Sequence, residues 1–439
     1  MGTLAVRRLR DLSPEDRRTL LERARARVFD ATLAESVRTI IEDVRARGDA
    51  AVSDALARFD GINLAPDRLR VGDEEIETAR ESVPEEVIDA IRVGLANIRA
   101  FNERLLRDAS WTDELTPGLL VGEQSAPIGS AGLFVPAGKG SFPSVLMHLG
   151  GPAVAAGVPE IVVLTPPLAG GKGEVDPAVL AVAHELGLQQ VFRVNGPAGI
   201  AACAFGTETI PAVLKVVGPG SPAVTSAQIQ VQAYGCATAM LFGPSESLII
   251  ADDSADVSLL AADLINEAEH GDDSAALLVT QSESLLTQVD AEVERQLPSL
   301  PAWRRSYAEA ALSHYGGAVL VTDLDEAFDF ANEYAPEHLQ LAVRDPEDVV
   351  ARIQHAGEIL LGQTPFAAAN YLLGVPNTLP TGGYARVSSG VTARTFVKSS
   401  SVARASGEAL ARLAPGVAAL ARHEEFPAHE AAIRVRGLR

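Results

Sequence analysis

Ile161-Val162-Val163-Leu164 is a short apolar run closed by Thr165-Pro166-Pro167, and Val191 to Val194 is another, closed by Asn195-Gly196. Between them lies a helical stretch from Pro177 to Leu186. Runs that are apolar at every position suit strands buried on both faces. A helix between two such strands is a crossover, so the strands lie parallel in one sheet. Leu214 to Val217, closed by Gly218-Pro219-Gly220, supplies a further strand. The pattern then recurs. Leu277-Leu278-Val279 precedes a helix around Ser284–Gln296, and Val319-Leu320-Val321 precedes a helix from Asp325. Two α/β lobes are expected, because 439 residues exceed what one ordinary core holds.

The flanks read differently. Arg7 to about Arg27 is a charged helical arm with Ser13-Pro14-Glu15-Asp16 as its start signal. Val37, Ile40, Ile41 and Val44 fall at helical spacing, with Gly48 as the stop. Ser82-Val83-Pro84-Glu85 reads as a capping box ahead of a long helix carrying Ile88, Ile91, Leu95, Ile98 and Leu105 on one face. The chain after about Gly390 reads as a helical tail. Ligands of open α/β sheets bind beyond the carboxyl ends of the strands, so chemistry is expected in the loops there.

Charge narrows the partners. Asp and Glu number 58 against 37 Lys and Arg, a net charge of −21 that repels nucleic acid and anionic membranes. No run of 18 apolar residues and no signal peptide is evident. The two cysteines, Cys203 and Cys236, read as reduced thiols. A soluble cytoplasmic protein with a small-molecule substrate is expected.

Familiar motifs are absent. No GxGxxG, HExxH or CxxC occurs, and Gly138-Lys139-Gly140-Ser141 has the wrong spacing for a phosphate loop. Among eight histidines, His148, His184, His314, His355 and His423 read as surface or core residues. His270 is three residues after Glu267 at a helix end, so both side chains point to one side and suit a shared ion. His338 follows Glu337 in a loop fixed by Pro336, and His429 lies near the chain end. From residue types alone the reading is an α/β enzyme with a candidate metal site.

Ordered segments carry a resemblance. Gly132-Leu133-Phe134-Val135-Pro136, Ala204-Phe205-Gly206-Thr207-Glu208, Gly218-Pro219-Gly220 and Gly243-Pro244-Ser245-Glu246 resemble the histidinol dehydrogenase family. So do Ala268-Glu269-His270-Gly271-Asp272-Asp273-Ser274, Ala335-Pro336-Glu337-His338-Leu339, Leu379-Pro380-Thr381-Gly382-Gly383 and Ala428-His429-Glu430. The resemblance spans essentially the whole chain. It implies two incomplete Rossmann-like lobes in an intertwined homodimer with shared active sites. The arm would be residues 1–28. Residues 29–128 with 247–390 would form a larger lobe carrying the metal and Glu-His motifs, 129–246 the second lobe, and 391–439 a helical tail reaching the partner. The implied reaction oxidises an amino alcohol to the amino acid through an aldehyde, with NAD and one zinc per subunit, in histidine biosynthesis or another pathway.

By the same resemblance His338 takes the alcohol proton and Glu337 activates water for the aldehyde step. Glu267, His270, Asn370 and His429 would hold zinc, and Ser245 and Glu424 would contact substrate together with His338 and the metal ligands. Phe134, Ala198 and Ser221 stand at cofactor-contacting positions. The departures are specific. Glu267 replaces a family glutamine and Asn370 a family aspartate, so one carboxylate and one amide remain but exchange places. Asn377 stands for a family histidine near the substrate, and Ala239 for an aspartate. Phe134, Ala198 and Ser221 stand for tyrosine, glutamine and asparagine, which weakens the expected cofactor contacts. The alternative reading is a diverged member that uses the metal and the Glu-His pair on a different alcohol or in a non-redox reaction.

Overall fold

The computed structural model describes residues 3–23, 29–137 and 140–437, so Gly138 and Lys139 of the glycine-rich loop, and residues 24–28 of the arm, lie outside it. In chain order the strands are β1 (Val6–Arg8), β2 (Trp111–Thr116), β3 (Leu119–Pro127), β4 (Ser130–Phe134), β5 (Glu160–Thr165), β6 (Gln190–Arg193), β7 (Lys215–Val217) and β8 (Ala237–Thr238). They continue as β9 (Glu246–Ala251), β10 (Ala275–Thr280), β11 (Gly317–Leu320), β12 (His338–Ala342), β13 (Glu358–Leu361) and β14 (Val397–Ala405).

The recurring apolar runs form two parallel sheets. One has the order β6-β5-β4-β7-β8 and the other β1-β11-β10-β9-β12-β13. Every residue of β9 and β10 is buried, because helices cover both faces of the larger sheet. Such full coverage is why the strands read as unbroken apolar runs. Among the described residues no helix is long and apolar enough to cross a membrane.

Three expectations are corrected. The arm is not wholly helical: β1 extends the larger sheet in parallel, with Val6 opposite Ala318, and Leu4 and Leu9 are buried beside it. Its helix, Pro14–Glu22, does start at Ser13, whose side chain accepts from the backbone N–H of Asp16. Second, helices Ala31–Arg47, Asp49–Phe59 and Glu85–Leu106 pack on the smaller sheet. Ile88, Ile91 and Ile98 share one core with Leu133, Leu146 and Val163, so residues 29–110 belong physically with the 129–246 lobe. The long helix starts at Pro84 without a side-chain cap, and the Ser82 hydroxyl instead donates to the carbonyl of Ala79. Third, the tail begins as a strand. β14 runs antiparallel to β3, from Val397 opposite Pro127 to Ala405 opposite Leu119, with β2 on the far side of β3. Residues 398–404 of β14 are all exposed, so no apolar alternation marks the strand in sequence. Helices Gly407–His423 and Pro427–Arg434 follow.

Candidate active site

The two sheets use opposite ends. Phe134 ends β4, Ala198 lies in helix Gly196–Phe205 after β6, and Ser221 precedes helix Pro222–Val231 after β7. These positions stand at carboxyl ends, as expected for a nucleotide crevice. In the larger sheet the functional residues stand at amino ends instead. Ser245 and Glu246 enter β9, Glu337 and His338 enter β12, and Glu267 and His270 close helix Val257–Ala268 ahead of β10. The carboxyl-end expectation is overturned for this lobe. The physical reason is donor supply, since the first residues of a parallel strand have N–H groups that carboxylates can accept from. Glu337 Oε2 accepts from the N–H of Glu246 at 3.0 Å, and Glu246 Oε1 from the N–H of Gly382 at 2.9 Å.

Parallel register gathers residues far apart in sequence. His338 is opposite Ser247 of β9 on one side and Glu358 of β13 on the other. Gly357 lets β13 close in, because a Cβ there would lie 2.5 Å from the carbonyl oxygen of Glu337. Ala335, just before the Pro336-Glu337-His338 turn, is held at φ 50°, a strained conformation for alanine that ends helix Leu324–Tyr334.

His338 and Glu337 are 4% and 8% exposed, which is unusual for ionisable groups. His338 Nδ1 lies 2.5 Å from Glu358 Oε1, and its Nε2 lies 3.8 Å from Glu337 Oε1. Burial alone would lower the imidazole pKa, but the carboxylates of Glu358, Glu337 and Glu267 outweigh it and hold it well above its ordinary value. Burial pushes Glu337 up to about 8, with His338 opposing and Glu246 reinforcing. A carboxyl group titrating near neutrality beside an imidazole with a raised pKa is an acid–base pair that can exchange protons, the imidazole serving as the base on the alkaline side. Arg23, from the N-terminal arm, places Nε 2.9 Å from Glu246 Oε2, donates to the carbonyl of Tyr334 at 2.6 Å and stacks 3.4 Å from that ring's centre. Sequence reasoning missed Arg23 and Glu358. Neither stands out among the many charged residues, whereas Glu246 lay inside a quoted motif without a role.

The candidate metal residues lie on separate elements. Glu267 is 1% exposed, and its Oε1 accepts from Asn266. His270 Nδ1 faces the carbonyl of Glu267 at 3.1 Å, the pattern that leaves Nε2 available to a ligand. Asn370 sits on helix Phe366–Tyr371, whose Phe366 ring centre is 5.8 Å from that of His338. The Asn370 Oδ1 is buried without a hydrogen-bond partner. A buried oxygen left unpaired is costly, so these residues fit a cation. His148 lies against the backbone of Asn370 and is 1% exposed, and burial lowers its pKa to about 4. Asn377 donates through Nδ2 to the carbonyl of Asn370 at 3.3 Å. Among the described residues no three His, Cys, Asp or Glu side chains form a metal cluster, so His429 does not join Glu267 and His270 within one chain. Glu424, in the turn between the two C-terminal helices, and His429, on the second, are exposed, with the His429 ring against Phe426.

A pocket lined by Phe242, Ser245, Glu246, Asp273, Thr381 and Tyr384 opens beside this network. On the nucleotide side the Phe134 and Ala198 side chains are packed into the core. Gly218 allows the chain to pass the end of β4, since its φ is +145° and a Cβ would lie 2.1 Å from the Phe134 carbonyl oxygen. Ser221 is the N-cap of a ten-residue helix and its hydroxyl makes no capping bond, which leaves a hydroxyl at the helix's amino end that fits a dinucleotide phosphate.

Fold and site together define an α/β protein with two parallel sheets and a buried acid–imidazole pair at the amino ends of the larger one. The histidinol dehydrogenase family model matches residues 23–437, and the chain belongs to that family. It is 42% identical to a histidinol dehydrogenase of Synechococcus sp., covering 95% of each chain. It is 39% identical to a histidinol dehydrogenase homolog of Colwellia psychrerythraea, covering 98% of this chain and 95% of that one. The crystal structure of histidinol dehydrogenase from Elizabethkingia anophelis superposes with a TM-score of 0.92 at 34% identity, covering 99% of this chain and 98% of that one.

Proposed function

We propose that the protein is an NAD-linked, zinc-dependent dehydrogenase that oxidises an amino alcohol, L-histidinol or a related small polar alcohol, to the amino acid through an aldehyde. The observation that carries this reading is the buried Glu337–His338 pair set among Glu267, Glu246 and Glu358. Glu267, His270, Asn370 and His429 of the partner subunit would hold zinc, and the loops after β4, β6 and β7 would hold NAD. When bound, zinc orients the substrate's nitrogen groups and NAD accepts the hydride. His338 removes the hydroxyl proton in the first oxidation. Glu337 takes a proton from water as its oxygen adds to the aldehyde, and His338 removes a hydroxyl proton of the resulting hydrate in the second. Burial excludes stray water from the aldehyde until Glu337 directs one. Ser245 and Glu424 contact the substrate, and Glu424 suits an ammonium group. We take the working form to be a cytoplasmic homodimer, in which the exposed C-terminal His429 and Glu424 would complete the other chain's site.

The test is an assay with L-histidinol under zinc, counting NADH per alcohol consumed. Two equivalents support the reading. Asn377 favours a second reading, because an amide tied to the Asn370 backbone meets a substrate differently from an imidazole. No turnover of histidinol, with other amino alcohols oxidised at two equivalents, supports that version.

A further inference from the structure

We propose that Glu358 is a positioning residue for His338, fixing the tautomer with Nδ1–H toward β13 and Nε2 toward the reacting groups, and stabilising the imidazolium once His338 has taken a proton. The catalytic half of this role rests on the dehydrogenase reading above, whereas the coupling of the two side chains does not.

Glu358 is the first residue of β13, and parallel register sets it directly opposite His338. Its side chain is 4% exposed, and its Oε1 lies 2.5 Å from His338 Nδ1. The other oxygen, Oε2, is buried with no hydrogen-bond partner. Arg23, the buried cation of this region, pairs with Glu246. A buried carboxyl group needs a hydrogen-bond partner, and the His338 Nδ1 is the one that meets Oε1. A residue that merely filled the strand would not need a charge at that point.

The geometry also divides the ring. With Nδ1 committed to Glu358, Nε2 faces Glu337 Oε1 at 3.8 Å, too long for a hydrogen bond and therefore open to a substrate hydroxyl. The groups acting on His338 come from every neighbouring element: Glu337 just before its own strand, Glu358 on β13, Glu246 on β9 and Glu267 on the helix before β10. The Phe366 ring packs edge-to-face with the imidazole as well. Glu358 is the only one of these carboxylates within hydrogen-bonding distance of Nδ1 among the described residues. When His338 gains a proton at Nε2, the positive charge spreads over the ring and meets the Glu358 carboxylate, with no proton passing to Glu358.

The test uses the full-length protein with 15N-labelled histidine, His338 being assigned by the signal lost in His338→Asn. In the unmodified protein the neutral ring should show Nδ1 protonated. In Glu358→Gln, which keeps shape and an acceptor but loses the charge, the His338 pKa should fall by about one unit or more. With substrate, Glu358→Gln should lower kcat about a hundredfold, change KM less than about threefold, and move the acid limb of the pH profile to lower pH. Glu358→Asp should recover part of the pKa shift. A ring protonated at Nε2 in the unmodified protein, or an unmoved pKa in folded Glu358→Gln, overturns the proposal. If the pKa falls but His338→Asn leaves alcohol oxidation unchanged, the dehydrogenase reading fails while the Glu358–His338 coupling stands.

Discussion

Arg23 and Glu246 form a buried ion pair, Nε to Oε2 at 2.9 Å, that ties the N-terminal arm to the first residue of a central strand. The side chains are 4% and 3% exposed, so neither charge has water to fall back on. Removing one partner of such a pair costs about 3–5 kcal/mol, mostly from the charge left behind. Arg23→Met should therefore lower unfolding stability by that amount in guanidinium titrations. Adding Glu246→Gln should recover part of the loss, and a double variant no more stable than Arg23→Met would refute the ion-pair account.

Glu337 and His338 should separate by half-reaction. His338→Asn should slow alcohol and aldehyde oxidation alike, by about 10²–10⁴-fold. Glu337→Gln should spare the first hydride transfer and slow only the second, which alone needs an activated water. Single-turnover assays started from the alcohol and from the aldehyde read this directly. Equal loss in both would show that Glu337 does not have a separate role.

One divalent ion per subunit should bind through Glu267, His270, Asn370 and His429 of the partner subunit. Elemental analysis after zinc loading and gel filtration should give near one equivalent, with His270→Ala well below about half. Glu267→Gln leaves no carboxylate in the set and Asn370→Asp puts two there. The double variant should therefore hold zinc better than either single one. A double variant worse than both would show that the two positions do not share an ion.

His148 sets a pH dependence. Burial lowers its pKa from 6.5 to about 4, so between these values the unfolded chain binds a proton that the folded chain refuses. Its share of stability is complete above pH 6.5 and declines as pH falls toward 4. From pH 7 to pH 5 the unmodified protein should lose about 2 kcal/mol more than His148→Leu does. Parallel urea titrations at the two pH values measure the difference, and identical slopes would exclude a neutral buried His148.

NAD should bind weakly. Phe134 and Ala198 offer no polar side-chain atom and are packed in the core, which leaves the Ser221 hydroxyl and backbone donors on that side. If each of the two missing side-chain hydrogen bonds, at Phe134 and Ala198, costs about 1 kcal/mol, affinity falls by roughly one and a half orders of magnitude. Calorimetric titration of NAD and NADP tests this. Tight NAD binding with histidinol turnover of about 1–10³ per second would remove any reason to regard the site as diverged.

The parallel strands and their crossover helices were legible in the residues, because burial on both faces forces a strand to be apolar throughout. Ser13 and Gly48 marked helix ends for an equally local reason, and ordered motifs carried Glu337, His338, Glu267 and His270. Other features were decided only in three dimensions. β14 has exposed positions almost throughout and gives no periodic signal, and the helices of residues 31–106 have apolar faces that do not say which sheet they cover. Glu358 and Arg23 look like surface charges until parallel register sets one against His338 and the arm carries the other to Glu246. Local sequence fixes which backbone conformation is favoured and which face is apolar. Which charges become buried together depends on strand order and register, and those follow from the packing of the whole chain.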